Sequence, residues 1–425
     1  MREANRSYRD VLGSPQLAGL LLGDLLANVG TGMLIVALPV QTLSIHGGVP
    51  TAIAIGLVEA APFVLSTFLA LAIGLGRVRV RPRTILIADC GPRSLTFATL
   101  GVLAVTGRLT LPVLIVGLAL GATFRMAGSS SRRLLATSLA GETGRFAVNG
   151  LLGLNATFAL YIIGPVLGGV VVASTGAGVA LFLDACGALV LLAAVLVCVP
   201  RAARDRGALG RPQAGESGWR ILRRRPVAAR LLVVVFFFNF FYMPIEVALP
   251  LYMRGTLGAD AAGLGLLWGA LGVGAFVGAA LVNQLRNLPQ RHVLIAIIGL
   301  WAMCPIALAF VNDLTVALIV FGLGGLVWAP FTPVAYSFLQ SGLEPDEQQQ
   351  VVTLWTTGST VAAPLGLTAG GPLIELAGTT GGLVLSGALT LLLLPIAALA
   401  VLGRTSGSAT PLTSARRNTA REHGR

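Results

Sequence analysis

RAARDRGALGRPQAGESGWRILRRRP, residues 201 to 226, is the longest polar stretch lying between two apolar runs of this 425-residue chain. It holds eight arginines and no segment long enough to cross a bilayer, which takes about 20 apolar residues. Runs of that length lie on both sides. Six precede it, at about 16–43, 51–76, 84–106, 110–131, 146–174 and 178–199. Six follow, at about 228–253, 261–285, 292–311, 314–339, 349–376 and 380–403. The fold expected is therefore an all-α integral membrane protein, with twelve transmembrane helices in two pseudo-symmetric six-helix halves. Its parts are a tail (1–15), an N-terminal half (16–199), a basic connector (200–227), a C-terminal half (228–403) and a disordered basic tail (404–425). A weak repeat at an offset near 205 residues agrees with the division, since GLALG at 117 answers GLGGL at 322. A polar turn follows each of them, AGETGR and EPDEQQQ. Duplicated halves of six spans suit a carrier.

Composition excludes a water-soluble chain. Hydrophobic residues make up 55% and charged residues only 11%, with a mean hydropathy of +0.84, whereas soluble domains carry about 25% charged residues. The net charge of +13 comes entirely from 30 arginines against 17 acids, with no lysine, a bias expected of a GC-rich bacterial genome. Twenty-six of the arginines fall in the tails and in alternate turns, two (Arg108 and Arg254) in the opposite turns, and two (Arg93 and Arg125) within spans. This asymmetry puts both termini in the cytoplasm of a multi-pass protein of the bacterial inner membrane. It also accounts for the basic balance without nucleic acid, leaving the connector to attract anionic lipid. Residues 1–15 are too polar, and the run from Leu17 too long, for a cleaved signal peptide. Cys90, Cys186, Cys198 and Cys304 sit in apolar runs without metal-ligand spacing and read as buried small hydrophobes.

GPVLGG, Gly164 to Gly169 in span five, combines a proline that removes a backbone donor with glycines that admit a neighbouring backbone. Such a helix serves as a joint, or as ordinary small-residue packing. GLGRVRVRPRT, residues 74–84, links spans two and three, and ALPLYMRGTLGADAAGLGLLWGALGVGA, residues 248–275, links spans seven and eight. On these stretches the chain resembles the major facilitator superfamily, in the twelve-span drug-exporter branch that includes macrolide-efflux and enterobactin-exporter-like proteins. The resemblance implies that Gly164, Pro165, Gly168 and Gly169 form the antiporter motif of exporters. It also implies that Gly74, Arg79 and Arg83 belong to the cytoplasmic closing motif. Val78 stands where that motif carries an aspartate, so its lock here is weakened or built otherwise.

Ionisable groups at membrane depth cost several kcal/mol and point to function. At about 1.5 Å per residue, Asp24 lies about 12 Å and Arg125 about 9 Å from the inner face. With spans one and four lining a central cavity, as the resemblance implies, the two are expected to pair. The pair is then a coupling element freed by protonation, or a static structural pair. Asp89 and Arg93, four residues apart on span three, are expected to pair structurally. Glu246, in FFFNFFYMPIEVALP beside Asn239, Tyr242 and five phenylalanines, and Glu59 in VEAAP fall in the outer half. Each is a proton or cation site, or a partly hydrated vestibule acid. Asp184 and Glu375 are expected near the outer surface, solvated.

Three histidines, all in turns or tails, cannot build a metal cluster or a catalytic triad, and without lysine there is no P-loop. No metal, no cofactor and no enzymatic activity are expected. The sequence reads as a secondary transporter whose expected partners are a small substrate, protons and membrane lipid, and it is expected to be a monomer. Export of a hydrophobic or amphipathic compound against protons is the first reading. Import of a nutrient, or a non-transporting sensor on the same scaffold, are the alternatives.

Overall fold

The computed structural model describes residues 7–74, 81–199, 217–285 and 288–402. All regular structure among them is helical. The first half is built from α1 (Tyr8–Leu12), α2 (Pro15–Ile45), α3 (Thr51–Gly74), α4 (Pro82–Val105), α5 (Leu111–Gly121), α6 (Arg125–Asn155), a π-helical segment (Ala156–Ile163), α7 (Gly164–Thr175) and α8 (Ala177–Cys198). After the connector come α9 (Gly218–Arg224), α10 (Pro226–Gly255), α11 (Ala261–Leu285), α12 (Gln290–Leu308), α13 (Leu314–Trp328), α14 (Phe331–Ser341), α15 (Pro345–Leu391) and α16 (Leu393–Leu402).

Nine helical stretches among the described residues are long and apolar enough to cross a membrane. Two of them are too long for one crossing. Leu111–Thr175 has 65 residues and Asp346–Leu399 has 54, so each, if straight, would exceed twice the roughly 30 Å of hydrocarbon. Both turn back at a glycine. Gly141 (φ 70°, ψ −173°) and Gly378 (φ 70°, ψ 170°) adopt backbone angles that residues with a side chain avoid. Divided there, and joined by Pro82–Val105, whose polar residues lower its hydropathy, the stretches make twelve spans. The helix is also broken mid-span twice, at 122–124 between α5 and α6 and at 329–330 between α13 and α14. These breaks are about 206 residues apart, as the sequence repeat requires. At the first, the Thr123 hydroxyl donates to the carbonyls of Ala119 (3.0 Å) and Leu120 (2.9 Å), two of the acceptors that the break exposes.

Each half packs its own helices closely, α2 and α4 on α8 in the first, and α10 on α15 and α11 on α13 in the second. Between halves the extensive contacts are α3 with α15, and α7 and the π-helical segment with α11. These contacts lie toward the end of the bundle remote from the connector. A side chain at Gly56 would run into the backbone of Leu367 and Gly371, and one at Gly169 into Ala261, Ala262 and Gly265. One at Gly272 would run into the carbonyl of Tyr161. The apolar core of the second half continues across this seam to Val36, Ala52, Ile55 and Ala60. Small residues allow helices without a hydrophobic driving force between them to gain contact by close approach.

Gly265 faces the Pro165 carbonyl across the seam, with Gly169 backbone beside it. We expect Gly265→Ala to push the halves apart at this end, at an overpacking cost of about 1–3 kcal/mol. Cysteine pairs engineered across the remote end should cross-link more slowly in the variant, by about fivefold or more. Unchanged cross-linking would mean that the seam yields without opening.

Candidate functional site

The charges buried in the first half are sorted by three glycines. Gly23 and Gly30 of α2 and Gly187 of α8 each meet the opposing helix so closely that a side chain would overlap its backbone. This draws α8 onto α2 and carries Asp184 inside, fully buried, where Arg93 of α4 grips it. Arg93 Nε donates to Asp184 Oδ2 at 2.9 Å, its Nη2 donates to Oδ1, and Nη2 also donates to the Thr31 hydroxyl at 2.6 Å. Asp184 is thus not solvated at the outer surface. Six residues into an apolar span is about 9 Å of helix, farther than a two-carbon side chain reaches back to water. Arg93 accordingly does not pair with its helix neighbour Asp89, whose buried carboxylate abuts the backbone of Gly128 instead.

The expected Asp24–Arg125 pair is not formed. Asp24 is buried and accepts from Arg132 Nη1 at 2.7 Å and from Asn28 at 3.2 Å. Arg132 follows Arg125 by seven residues, so both point from one face of α6. The salt bridge goes to the arginine nearer the connector end. Glu375 is exposed. Of the cysteines, Cys90 and Cys304 are buried, Cys198 is half-buried, and Cys186 is exposed, contrary to its reading as buried.

Freed of Asp24, Arg125 lies beside a chamber of about 140 Å³ between the halves. Glu59 of α3, Arg93, Arg125, Tyr161 and Thr31 from the first half line it, with Glu246 of α10 and Trp268 of α11 from the second. The Arg125 guanidinium sits over the ring of Phe63, 5.4 Å from its centre, a cation–π distance. Glu59 and Glu246, on different halves, are close enough to interact with each other and with Arg125. Arg93 is already committed to Asp184, so the chamber wall among the described residues holds two carboxylates and one uncommitted guanidinium. Tyr161 arrives through the π-helical segment just before Pro165, and such segments recur at functional sites.

The aromatic wall expected around Glu246 is distributed differently. Helical spacing spreads FFFNFF around all sides of α10. Phe238 is buried and stacked on Phe331 at 3.8 Å, while Phe236 and Phe237 face a groove on the outside of the bundle. Tyr242 is buried against Trp301 and Trp328, one helical turn from Glu246. Asn239 donates to the Val235 carbonyl at 2.8 Å and borders a second cavity of about 360 Å³ nearer the connector. Phe63 borders both cavities and stands between them.

In GPVLGG, Gly164 and Gly168 press on Gly32 and Met33 of α2, and Gly169 presses on α11 across the seam. Gly74 closes α3 and Arg83 is half-buried in the first turn of α4, while Arg79 and Val78 lie outside the described residues. The site residues that sequence reasoning missed are Arg132, Tyr161, Thr31 and, as a buried group, Asp184. Arg132 follows Arg125 at helical spacing, and Thr31 completes the row Asp24, Asn28, Thr31 on one face of α2.

Over residues 13–412 the chain matches the family described as transmembrane secretion effector, a branch of the major facilitator superfamily. It is 28% identical over 372 residues to the multidrug efflux pump Tap of Mycolicibacterium fortuitum, covering 84% of this chain and 89% of that protein. To the pump of the same name in Mycobacterium tuberculosis it is 26% identical over 374 residues, with 84% and 87% covered. Among solved structures, a bacterial homologue of the iron transporter ferroportin in an inward-facing state aligns with a TM-score of 0.70 at 15% identity, covering 91% of this chain and 98% of that one. The POT family transporter PepTSo aligns at 0.69 and 11% identity, with 91% and 97% covered.

Removing one partner of a buried ion pair strands the other charge, at about 3–5 kcal/mol. Arg93→Gln and Asp184→Asn should each lower the thermal stability of the detergent-solubilised protein, and the double change Arg93→Met with Asp184→Leu should restore most of it. Equal melting temperatures for all four proteins would show that the pair carries no structural load.

Proposed function

We propose, from the premise that this chain belongs to the transmembrane secretion effector family of the major facilitator superfamily, that it exports a small hydrophobic or amphipathic compound in exchange for protons. It is a multi-pass membrane protein of a transporter family. In our reading it acts as a monomer in a bacterial inner membrane with both termini cytoplasmic, as the arginine distribution favours. The chamber then opens inward and the glycine-lined seam closes the outside. The naming of its mycobacterial relatives as multidrug efflux pumps supports export over import.

One observation carries the reading. Two acids from opposite halves share a chamber in which one arginine is uncommitted. Inside a membrane an uncancelled charge costs several kcal/mol, so the surplus carboxylate needs a proton or a cationic group on the substrate. A substrate that displaces the proton, or a proton that displaces the substrate, makes exchange obligatory. Because Glu59 and Glu246 stand on different halves, cancelling their mutual repulsion favours the approach of the halves, and restoring it favours their separation. Arg125 supplies the positive charge beside the two acids, whereas Asp24, committed to Arg132, is a structural group. The energetics suffice for a neutral compound. One proton crossing about 100 mV supplies about 2.3 kcal/mol, and half a pH unit about 0.7 kcal/mol more. Together they sustain a gradient of roughly a hundredfold. The walls, made of Phe63, Phe97, Leu118, Trp268 and leucines, suit apolar partners.

The test is accumulation of lipophilic dyes in a bacterial host deleted for its own pumps. We expect the wild-type protein to lower accumulation several-fold, and a protonophore to abolish the effect. Glu59→Gln and Glu246→Gln, at equal membrane abundance, should return accumulation to the level of empty vector. Asp24→Asn should reduce the amount of folded protein more than the export per molecule. Higher accumulation with the wild type would reverse the direction. Full protonophore-sensitive export by the doubly substituted Glu59→Gln, Glu246→Gln protein would remove the acids from the coupling step.

A further inference from the structure

A cavity larger than the chamber lies elsewhere. It is an apolar groove of about 690 Å³ near the connector end, between the short helix α9, α10 and α15. Aromatic rings of Trp219, Phe236, Phe237 and Trp355 line it together with Leu222 and Leu354, and its volume is that of a pocket for a drug-sized molecule. Trp219 on α9 is 68% exposed, Arg223 is exposed, and Ile221 and Leu222 on the same helix are buried. An amphipathic helix with tryptophan and arginine on its outer side belongs at the boundary between headgroups and hydrocarbon. The groove therefore opens into the leaflet on the connector side.

Three residues decide its meaning. Val235, Trp355 and Ser359 line this groove and also the 360 Å³ cavity that meets the chamber at Phe63. Groove and inner cavity are separated by a wall of single side chains. Trp355, buried in the groove floor and held edge-on against Tyr336 at 5.8 Å, is the largest of them. On the inner side, Phe63 is the side chain between this cavity and the chamber that holds Glu59 and Arg125. Gly358 borders the groove, and a side chain there would meet only the ring of Phe236, at 4.0 Å.

We infer that this groove is the entry site for the transported compound, a lipophilic molecule taken from the leaflet, with Trp355 as the side chain that swings to admit it to the inner cavity. The occupant follows from the single-side-chain wall shared with the inner cavity and from the apolar, aromatic lining. A resident anionic phospholipid held through Arg223 is the competing occupant, and the test separates the two. The inference rests on the export reading for its substrate, while the site itself is tested without transport.

The probe is Hoechst 33342, a dye that partitions into bilayers and accepts excitation from tryptophan. With the purified full-length protein in phosphatidylcholine nanodiscs, we expect a saturable energy transfer to the dye. It should fall at least twofold in Trp219→Phe, which leaves the groove open, and disappear in Gly358→Phe, which fills it. In inverted membrane vesicles, Gly358→Phe should slow extraction of Hoechst 33342 at least fivefold while changing export of ethidium, a water-borne cation, less than twofold. Phe237→Ala, a second variant should Gly358→Phe fail to fold, removes a groove ring that does not line the inner cavity and should slow the Hoechst 33342 rate by at least threefold while leaving that of ethidium within twofold. Energy transfer unchanged in both Trp219→Phe and Gly358→Phe would overturn the site. Equal slowing of both dyes would overturn its role in entry, and displacement of the dye by added phosphatidylglycerol in wild type but not in Arg223→Gln would give the groove to lipid. If the wild type extracts neither dye yet the saturable transfer behaves as stated, the export reading fails while the binding site stands.

Discussion

A guanidinium placed in hydrocarbon must have a carboxylate in contact with it or remain several kcal/mol out of place, and the first half of this protein is assembled around that requirement. Arg93 takes Asp184 from α8 and the Thr31 hydroxyl from α2, and Arg132 takes Asp24 from α2. Two ion pairs thereby tie α2, α4, α6 and α8 into one body. The connector-side end of the second half has a smaller counterpart, where Arg225 donates to Glu344 at 2.9 Å and to Glu347 at 3.1 Å. Glu344 is exposed and Arg225 partly exposed there, so their bridge is correspondingly weak, in keeping with its place at the end of the helices.

Once these pairs are made, the charges left in the chamber acquire their meaning. Arg125 is the arginine in α6 that the structural aspartates do not claim, and it rests on the face of Phe63 near two glutamates. Each of those glutamates belongs to a different, closely packed half. Closely packed halves and an incompletely balanced interface are what the proposed exchange requires. A fully paired chamber would lock the halves together, and loosely packed halves would dissipate any charge change within themselves.

The helices that carry the site are irregular where they reach it. The break before Arg125, the matching break at 329–330 and the π-helical turns that deliver Tyr161 all lie near the middle of their spans. Backbone of this kind is tolerated at membrane depth when protein or a cavity surrounds it. Glycine does the opposite work at the seam, where Gly56, Gly169, Gly265 and Gly272 bring backbone to backbone. A surface of that kind parts cleanly, because few interlocking side chains must be withdrawn.

Read from one end to the other, the amino-acid sequence determined the solvent, the number of crossings, their division by the arginine-rich connector and the repeat between halves. These depend on local hydropathy and charge, which each segment carries whatever its neighbours do. It also named Glu59, Glu246 and Arg125, which the structure places around one chamber. Partnership was decided by the tertiary structure alone. Depth along a helix gave Asp24 and Arg125 as equals, and spacing gave Asp89 to Arg93, but the azimuth of each helix and the glycine contacts between α2 and α8 awarded Arg132 to Asp24 and Asp184 to Arg93. The phenylalanines of α10 were dispersed for the same reason, since a contiguous aromatic run in sequence becomes a ring around a helix. A one-dimensional pattern fixes which residues enter the membrane and how far, whereas which charge meets which depends on rotation and approach between helices, quantities that no single segment contains.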